Sequence, residues 1–265
     1  AVEALRHERS LEFTGLDQKI LRSGYPSLSR AEREKILSKF SRLMIFGGEE
    51  SYGANRGDMV RDKDALTMLD LFVEIAAYYK KRNTSIYERL YGPGGIFETY
   101  GYFSEDQAIY DTPGALGDDV KKTIMGEFAT RPPMQIAGKK VVAILDYAQQ
   151  TAKDPKGGVF FDGNYWDPKN PGRFKLPNGY EVHTFKDLDD KNIGKENFLE
   201  FILEDGSRVI PRPSGTEPKM KIYVLFKGND KNKENVDRDV QRAKKELIET
   251  FEKIRVRVEA PQLKD

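Results

Sequence analysis

The chain has 265 residues, enough for one large domain or two modest ones. It carries 44 Lys and Arg against 43 Asp and Glu, a net charge of +1, which excludes the basic excess usual in nucleic-acid binders and membrane-surface proteins. With no cysteine and only two histidines, His7 and His183, there is no disulfide scaffold, cysteine nucleophile, thiolate zinc site or multi-histidine metal centre.

Residues 1–11 have neither an N-cap signal nor an initiator Met and read as the tail of something already under way. No secretory signal opens the chain and no apolar run reaches the ~20 residues of a membrane helix. The expectation is a soluble, cytoplasmic protein with neither a nucleic-acid nor a membrane partner. Residues 29–40 predict a helix, with Ser29 as N-cap and Glu32 three residues on, as in a capping box. Residues 42–48, "RLMIFGG", predict a buried strand that opens into a polar loop. Residues 64–82 predict an amphipathic helix with Leu69, Phe72, Val73 and Ala76 on one face.

Residues 91–95, "YGPGG", have turn chemistry, and residues 96–104 read as a strand. A helix follows at 117–130, with acidic residues in its first turn. Two adjacent prolines make residues 131–138 read as an interdomain linker. Beyond them strands dominate, at 139–147, 180–185, 198–204, 207–212 and 220–227, with a long loop at 154–180. Asp205-Gly206 between two of these strands signals a hairpin. A closing helix at 233–255 places Val236, Val240, Ala243, Leu247, Phe251 and Ile254 on one face. The expected fold class is α/β then α+β. A partial α/β domain at 1–130 is followed, after the linker at 131–138, by a small antiparallel-sheet domain at 139–265 with its C-terminal helix packed on one face.

Three segments carry chemistry. "RPSGTEPK", residues 212–219, suits an anion. Arg212 offers a planar fork of donors, Ser214 and Thr216 add hydroxyls, Gly215 lets the backbone approach closely, and two prolines stiffen the turn. Lys219 and Lys221 lie just beyond. "GGEESYG", residues 47–53, sets Glu49 and Ser51 after a strand, where a carboxylate can accept from neighbouring sugar hydroxyls. In "VRDKDA", residues 60–65, Asp62 or Asp64 caps the next helix, and Lys63 is either solvated or aimed into a site.

Together, "GEESYG", "VRDKDA" and "RPSGTEPK" in this order resemble the α-D-phosphohexomutase family, and within it the phosphoglucomutases. The resemblance runs from about residue 14 to the end, and "RPSGTEPK" is its most specific part. It implies the third and fourth of four domains. Thr14 and Gly15 in "FTGL", Glu49, Ser51 and Lys63 would contact substrate. Arg212, Ser214, Gly215 and Thr216 would hold the non-reacting phosphate. The family transfers phosphate from a serine in a TASHNP-type loop and needs Mg²⁺ in a DGDxDR-type loop, with glucose 1,6-bisphosphate as intermediate; this sequence contains neither loop. The expectation is therefore a phosphosugar-binding half with no catalytic and no metal-binding residue of its own. Its partners would be the phosphosugar and the N-terminal domains of the same protein. Phosphopentomutases and phosphomannomutases of the family, and a non-catalytic phosphosugar-binding module, are the alternatives.

Overall fold

A computed structural model describes residues 29, 31, 32, 35, 46–48, 53–56, 63–188, 190–228 and 233–260. The chain divides into two compact units, Ala1–Arg89 and Leu90–Asp265.

In the first unit Ser29 and Glu32 form the expected capping box. Glu32 N–H donates to Ser29 Oγ at 3.3 Å, and Glu32 Oε2 accepts from Ser29 N–H at 2.9 Å. Strands β1 (Phe46–Gly48) and β2 (Ala54–Arg56) pair antiparallel, with Phe46 opposite Arg56. Helix α1 (Ala65–Lys80) starts at Asp64, whose Oδ1 accepts from Leu66 N–H at 3.1 Å. Of the two aspartates read as possible caps, Asp64 is thus the one seen capping; Asp62 lies outside the described residues. Arg56 reaches Glu74 on α1 at 3.0 Å and ties hairpin to helix. Of the strand expected at 42–48 the described part is Phe46–Gly48, where Phe46 is 56% exposed.

The second unit is one antiparallel sheet with helices on one face. After α2 (Ile86–Tyr91) and α3 (Ile96–Tyr100) come β3 (Tyr102–Asp111), α4 (Gly117–Thr130), β4 (Gln135–Ile136), β5 (Lys139–Asp146), β6 (Thr151–Lys153) and β7 (Val159–Asp162). Then follow β8 (Arg173–Lys175), β9 (Glu181–His183), β10 (Leu199–Leu203), β11 (Arg208–Pro213), β12 (Lys219–Gly228) and α5 (Lys233–Glu259). The sheet order is β3-β12-β11-β10-β5-β6-β7, with β4 on β5; β8 and β9 form a separate hairpin. The strand expected at 96–104 is instead α3 followed by β3. Gly101, at φ +90°, sits in the left-handed region that ends the helix and lets the chain turn into the strand.

Period-two alternation decides which face is which. Met220, Ile222, Val224 and Phe226 of β12 point to the helix side and are almost fully buried. They meet the six residues expected on the closing helix, Val236, Val240, Ala243, Leu247, Phe251 and Ile254, and Val120, Ile124 and Phe128 of α4. Among the described residues a second cluster covers the opposite face at the β5–β7 end, where Leu176, Val182 and Phe185 pack over Ala143, Leu145 and Ile202. The opposite face of β3, β12 and β11 stays open, carrying half-buried to exposed residues such as Ile109, Lys221 and Arg212.

The boundary differs from the one expected. Residues 131–138 are not a linker between domains: Gln135 and Ile136 pair with Lys140 and Lys139, and Ile136 is in the core. Strand β3 belongs to the second unit because it pairs with β12 along its whole length, from Tyr102 opposite Gly228 to Asp111 opposite Lys219. Pro132 and Pro133 end α4 without ending a domain.

Candidate functional site

The anion-suited segment closes the β11–β12 hairpin. Arg212 stands on β11 directly opposite Lys221 of β12, on the open face. Like charges directly opposite on adjacent strands disfavour each other, and an anion between them would relieve that repulsion. The remainder, residues 214–218, forms a turn at the sheet end. Ser214 N–H donates to Lys219 O at 3.0 Å, and Lys219 N–H to Glu217 O at 2.8 Å. Glu217 N–H donates to Ser214 Oγ at 3.2 Å. The Lys219 ammonium reaches Glu217 Oε1 at 2.7 Å, and this bond is the main reason the Glu217 carboxyl lies below its usual range.

The turn is anchored from behind by the segment joining β3 to α4. Thr112 N–H donates to Pro218 O at 2.7 Å. Lys121, in the first turns of α4, donates to Ser214 O at 3.2 Å and Glu217 O at 3.3 Å. Gly117 allows the close approach this needs, since a Cβ there would lie 2.0 Å from Thr112 O. Among the described residues neither Gly215 N–H nor Thr216 N–H donates a hydrogen bond, and a Cβ at Gly215 would meet nothing within 4 Å. Among the described residues the turn thus offers two amides without an acceptor and the exposed Thr216 hydroxyl, and the adjoining strand ends carry Arg212 and Lys221, donor types suited to a tetrahedral oxyanion.

Arg212 has a carboxylate neighbour, Glu196, but at 3.6 Å and with both side chains about half exposed. That is too long for a hydrogen bond and leaves the guanidinium fork for a ligand. Its Cζ lies 6.0 Å from the centre of the Phe198 ring, which stacks on Tyr147 at 4.0 Å. Tyr147 donates to the buried Glu200 at 3.0 Å, and Arg208 donates to the same carboxylate at 2.7 Å. Burial and the adjacent Glu200 carboxylate raise the Tyr147 phenol well above its ordinary value.

Of the residues named from sequence, Arg212, Ser214, Gly215 and Thr216 come together in this turn. Lys63 is exposed immediately before the α1 cap, in the first unit. Thr14, Gly15, Glu49 and Ser51 lie outside the described residues. Sequence reasoning missed Lys121, Thr112, Phe198 and Tyr147. The signal for Lys121 was present: it falls on the apolar stripe of α4 with Gly117, Val120, Ile124, Met125 and Phe128, where a solvated lysine does not belong. Among the described residues no group of three or more His, Asp or Glu side chains could hold a metal ion.

No family model matches the chain. It is 30% identical over 188 residues to a phosphoglucomutase of Staphylococcus aureus strain N315, a match covering 71% of this chain and 28% of that protein. The phosphoglucomutase of strain MRSA252 matches at 30% over 187 residues, with the same coverage. The chain thus spans well under a third of the length of these curated relatives. Among solved structures, the exocytosis-sensitive phosphoprotein pp63/parafusin, a phosphoglucomutase from Paramecium in its open form, is similar over 82% of this chain and 30% of that one, at 16% identity and a TM-score of 0.41. By sequence, then, the chain is related to the phosphoglucomutases of the phosphohexomutase family and corresponds to their C-terminal part.

Proposed function

We propose that this chain supplies the sugar- and phosphate-binding half of a phosphoglucomutase, which interconverts glucose 1-phosphate and glucose 6-phosphate. The observation that supports this reading is the 212–219 turn, where Arg212 and Lys221 stand opposite each other on one face of the sheet and, among the described residues, the Gly215 and Thr216 amides donate no hydrogen bond. In this role the turn grips the phosphate that does not react. Arg212 pairs bidentately with two phosphate oxygens, and the amides and the Ser214 and Thr216 hydroxyls donate to the others. Glu49 and Ser51 grip sugar hydroxyls, and Lys63, Thr14 and Gly15 complete the substrate contacts. Such a grip suits a reaction in which either end of the sugar must be presented, because it holds hydroxyls and a distal phosphate rather than the reacting atom. The phosphoserine, the Mg²⁺ that assists phosphate transfer and the glucose 1,6-bisphosphate intermediate belong to the whole enzyme, and the other domains of that protein are this chain's partners.

Calorimetric titration tests the reading. Glucose 1-phosphate, glucose 6-phosphate and inorganic phosphate are expected to bind the chain, and Arg212→Ala to weaken all three about tenfold to a hundredfold, since a hydrogen bond to a charged group is worth roughly 1.5–3 kcal/mol. Arg212→Lys is expected to recover only part, because a point charge cannot reproduce the fork. Glu49→Gln is expected to weaken the sugar phosphates alone. Equal loss of inorganic phosphate binding in Glu49→Gln and Arg212→Ala would overturn this division of labour. In a coupled mutase assay the chain by itself is expected to show no turnover.

A further inference from the structure

We propose that Lys121 is a positioning residue for the 214–218 turn, setting the Ser214–Gly215 peptide so that its N–H faces the bound phosphate. The proposal rests on the phosphate-binding reading above and deepens it. Lys121 is only 9% exposed. Placing an ammonium there is unfavourable unless its donors are satisfied. It has three N–H donors and three acceptors: Asp118 Oδ1 at 2.9 Å, Ser214 O at 3.2 Å and Glu217 O at 3.3 Å. Two of the three are carbonyls at either end of the turn. In a planar trans peptide the C=O and the following N–H point in opposite directions. Drawing Ser214 O inward to Lys121 therefore turns Gly215 N–H outward, into the space where a Cβ would meet nothing.

The remaining bonds of the turn do not fix this peptide. Ser214 N–H to Lys219 O, Lys219 N–H to Glu217 O and Thr112 N–H to Pro218 O hold the turn's base and its far side. The Ser214 carbonyl is held by Lys121.

The experiment titrates inorganic phosphate into the wild-type chain and into Lys121→Met, Lys121→Arg and Arg212→Ala, following the Gly215 and Thr216 amides by ¹H–¹⁵N spectroscopy and checking folding by thermal melts. Methionine keeps the apolar stem and removes the donors. Lys121→Met is expected to bind phosphate about tenfold more weakly, the scale of one charge-assisted hydrogen bond. Its Gly215 amide is expected to lose the shift that phosphate induces in the wild type. Lys121→Arg is expected to recover much of both, which a purely structural staple would not require. If Lys121→Met does not fold, Lys121→Gln, with one donor group retained, is expected to show the same weakening to a smaller extent. Wild-type binding that a folded Met or Gln variant leaves intact overturns this inference alone. Absence of phosphate binding by the wild type overturns the functional reading and this inference with it.

Discussion

Two arginines four residues apart on β11 show how surroundings divide one chemistry into two roles. Arg208 donates to the buried Glu200 at 2.7 Å, whereas Arg212 has only an exposed carboxylate 3.6 Å away. Arg208→Ala is expected to destabilise the fold by about 1–3 kcal/mol, because it leaves a buried carboxylate with Tyr147 alone. Urea unfolding reads this, and Arg212→Ala is expected to stay within about 0.5 kcal/mol of wild type, as an exposed site does. A second residue-scale effect depends on pH. Burial, and then the hydrogen bond that Tyr110 donates to Glu252 at 2.7 Å, push the Tyr110 phenol up to about 12. A folded-state value above the ordinary 10 means that the contribution is complete below pH 10 and is lost as pH rises towards 12. The stability difference between wild type and Tyr110→Phe is expected to shrink over that interval in urea melts. Sequence made Arg212 visible through its Pro-Ser-Gly-Thr company. It could not separate Arg212 from Arg208, because the separation depends on Glu200, which β10 brings alongside.

The turn between β11 and β12 keeps its form because another element, the β3–α4 junction, lies against it. Gly117 is the tightest point within that junction. Gly117→Ala would set a Cβ 2.0 Å from Thr112 O and is expected to destabilise by about 1–3 kcal/mol, the usual cost of overpacking, in thermal or urea unfolding. Gly126→Ala, whose Cβ would meet nothing within 4 Å in the same helix, is expected to be neutral or stabilising, since alanine is the better helix former by about 1 kcal/mol. Elements with long, regular periodicity were legible from the chain. The six-residue stripe of α5 and the Asp205-Gly206 hairpin stand as read, Gly206 being at φ +85°. Residues 96–104 misled because aromatic and β-branched residues crowd both a short helix and the strand after it, and only Gly101 marks the change.

At the scale of the molecule, the second unit has its own core on both faces of the sheet, and its edge strand β3 begins only at Tyr102. A fragment of residues 90–265 is therefore expected to unfold cooperatively with a urea midpoint of its own, whereas a fragment of residues 139–265 is expected not to fold. The second lacks β3, which covers β12 from end to end, and α4, which buries Ile124 and Phe128 against the sheet. Pairing of Asp111 with Lys219 joins residues more than a hundred positions apart. Neither composition nor periodicity reports such a contact, so the two prolines after α4 were the more conspicuous sign and pointed to the wrong boundary. The same long-range contact gives the turn a kinetic character. A loop whose carbonyls are already engaged by Thr112 and Lys121 has little left to rearrange when an anion arrives. Phosphate should then associate in a single bimolecular step, with an observed stopped-flow rate that climbs in proportion to phosphate concentration; a rate that levels off would mean the turn must first reorganise.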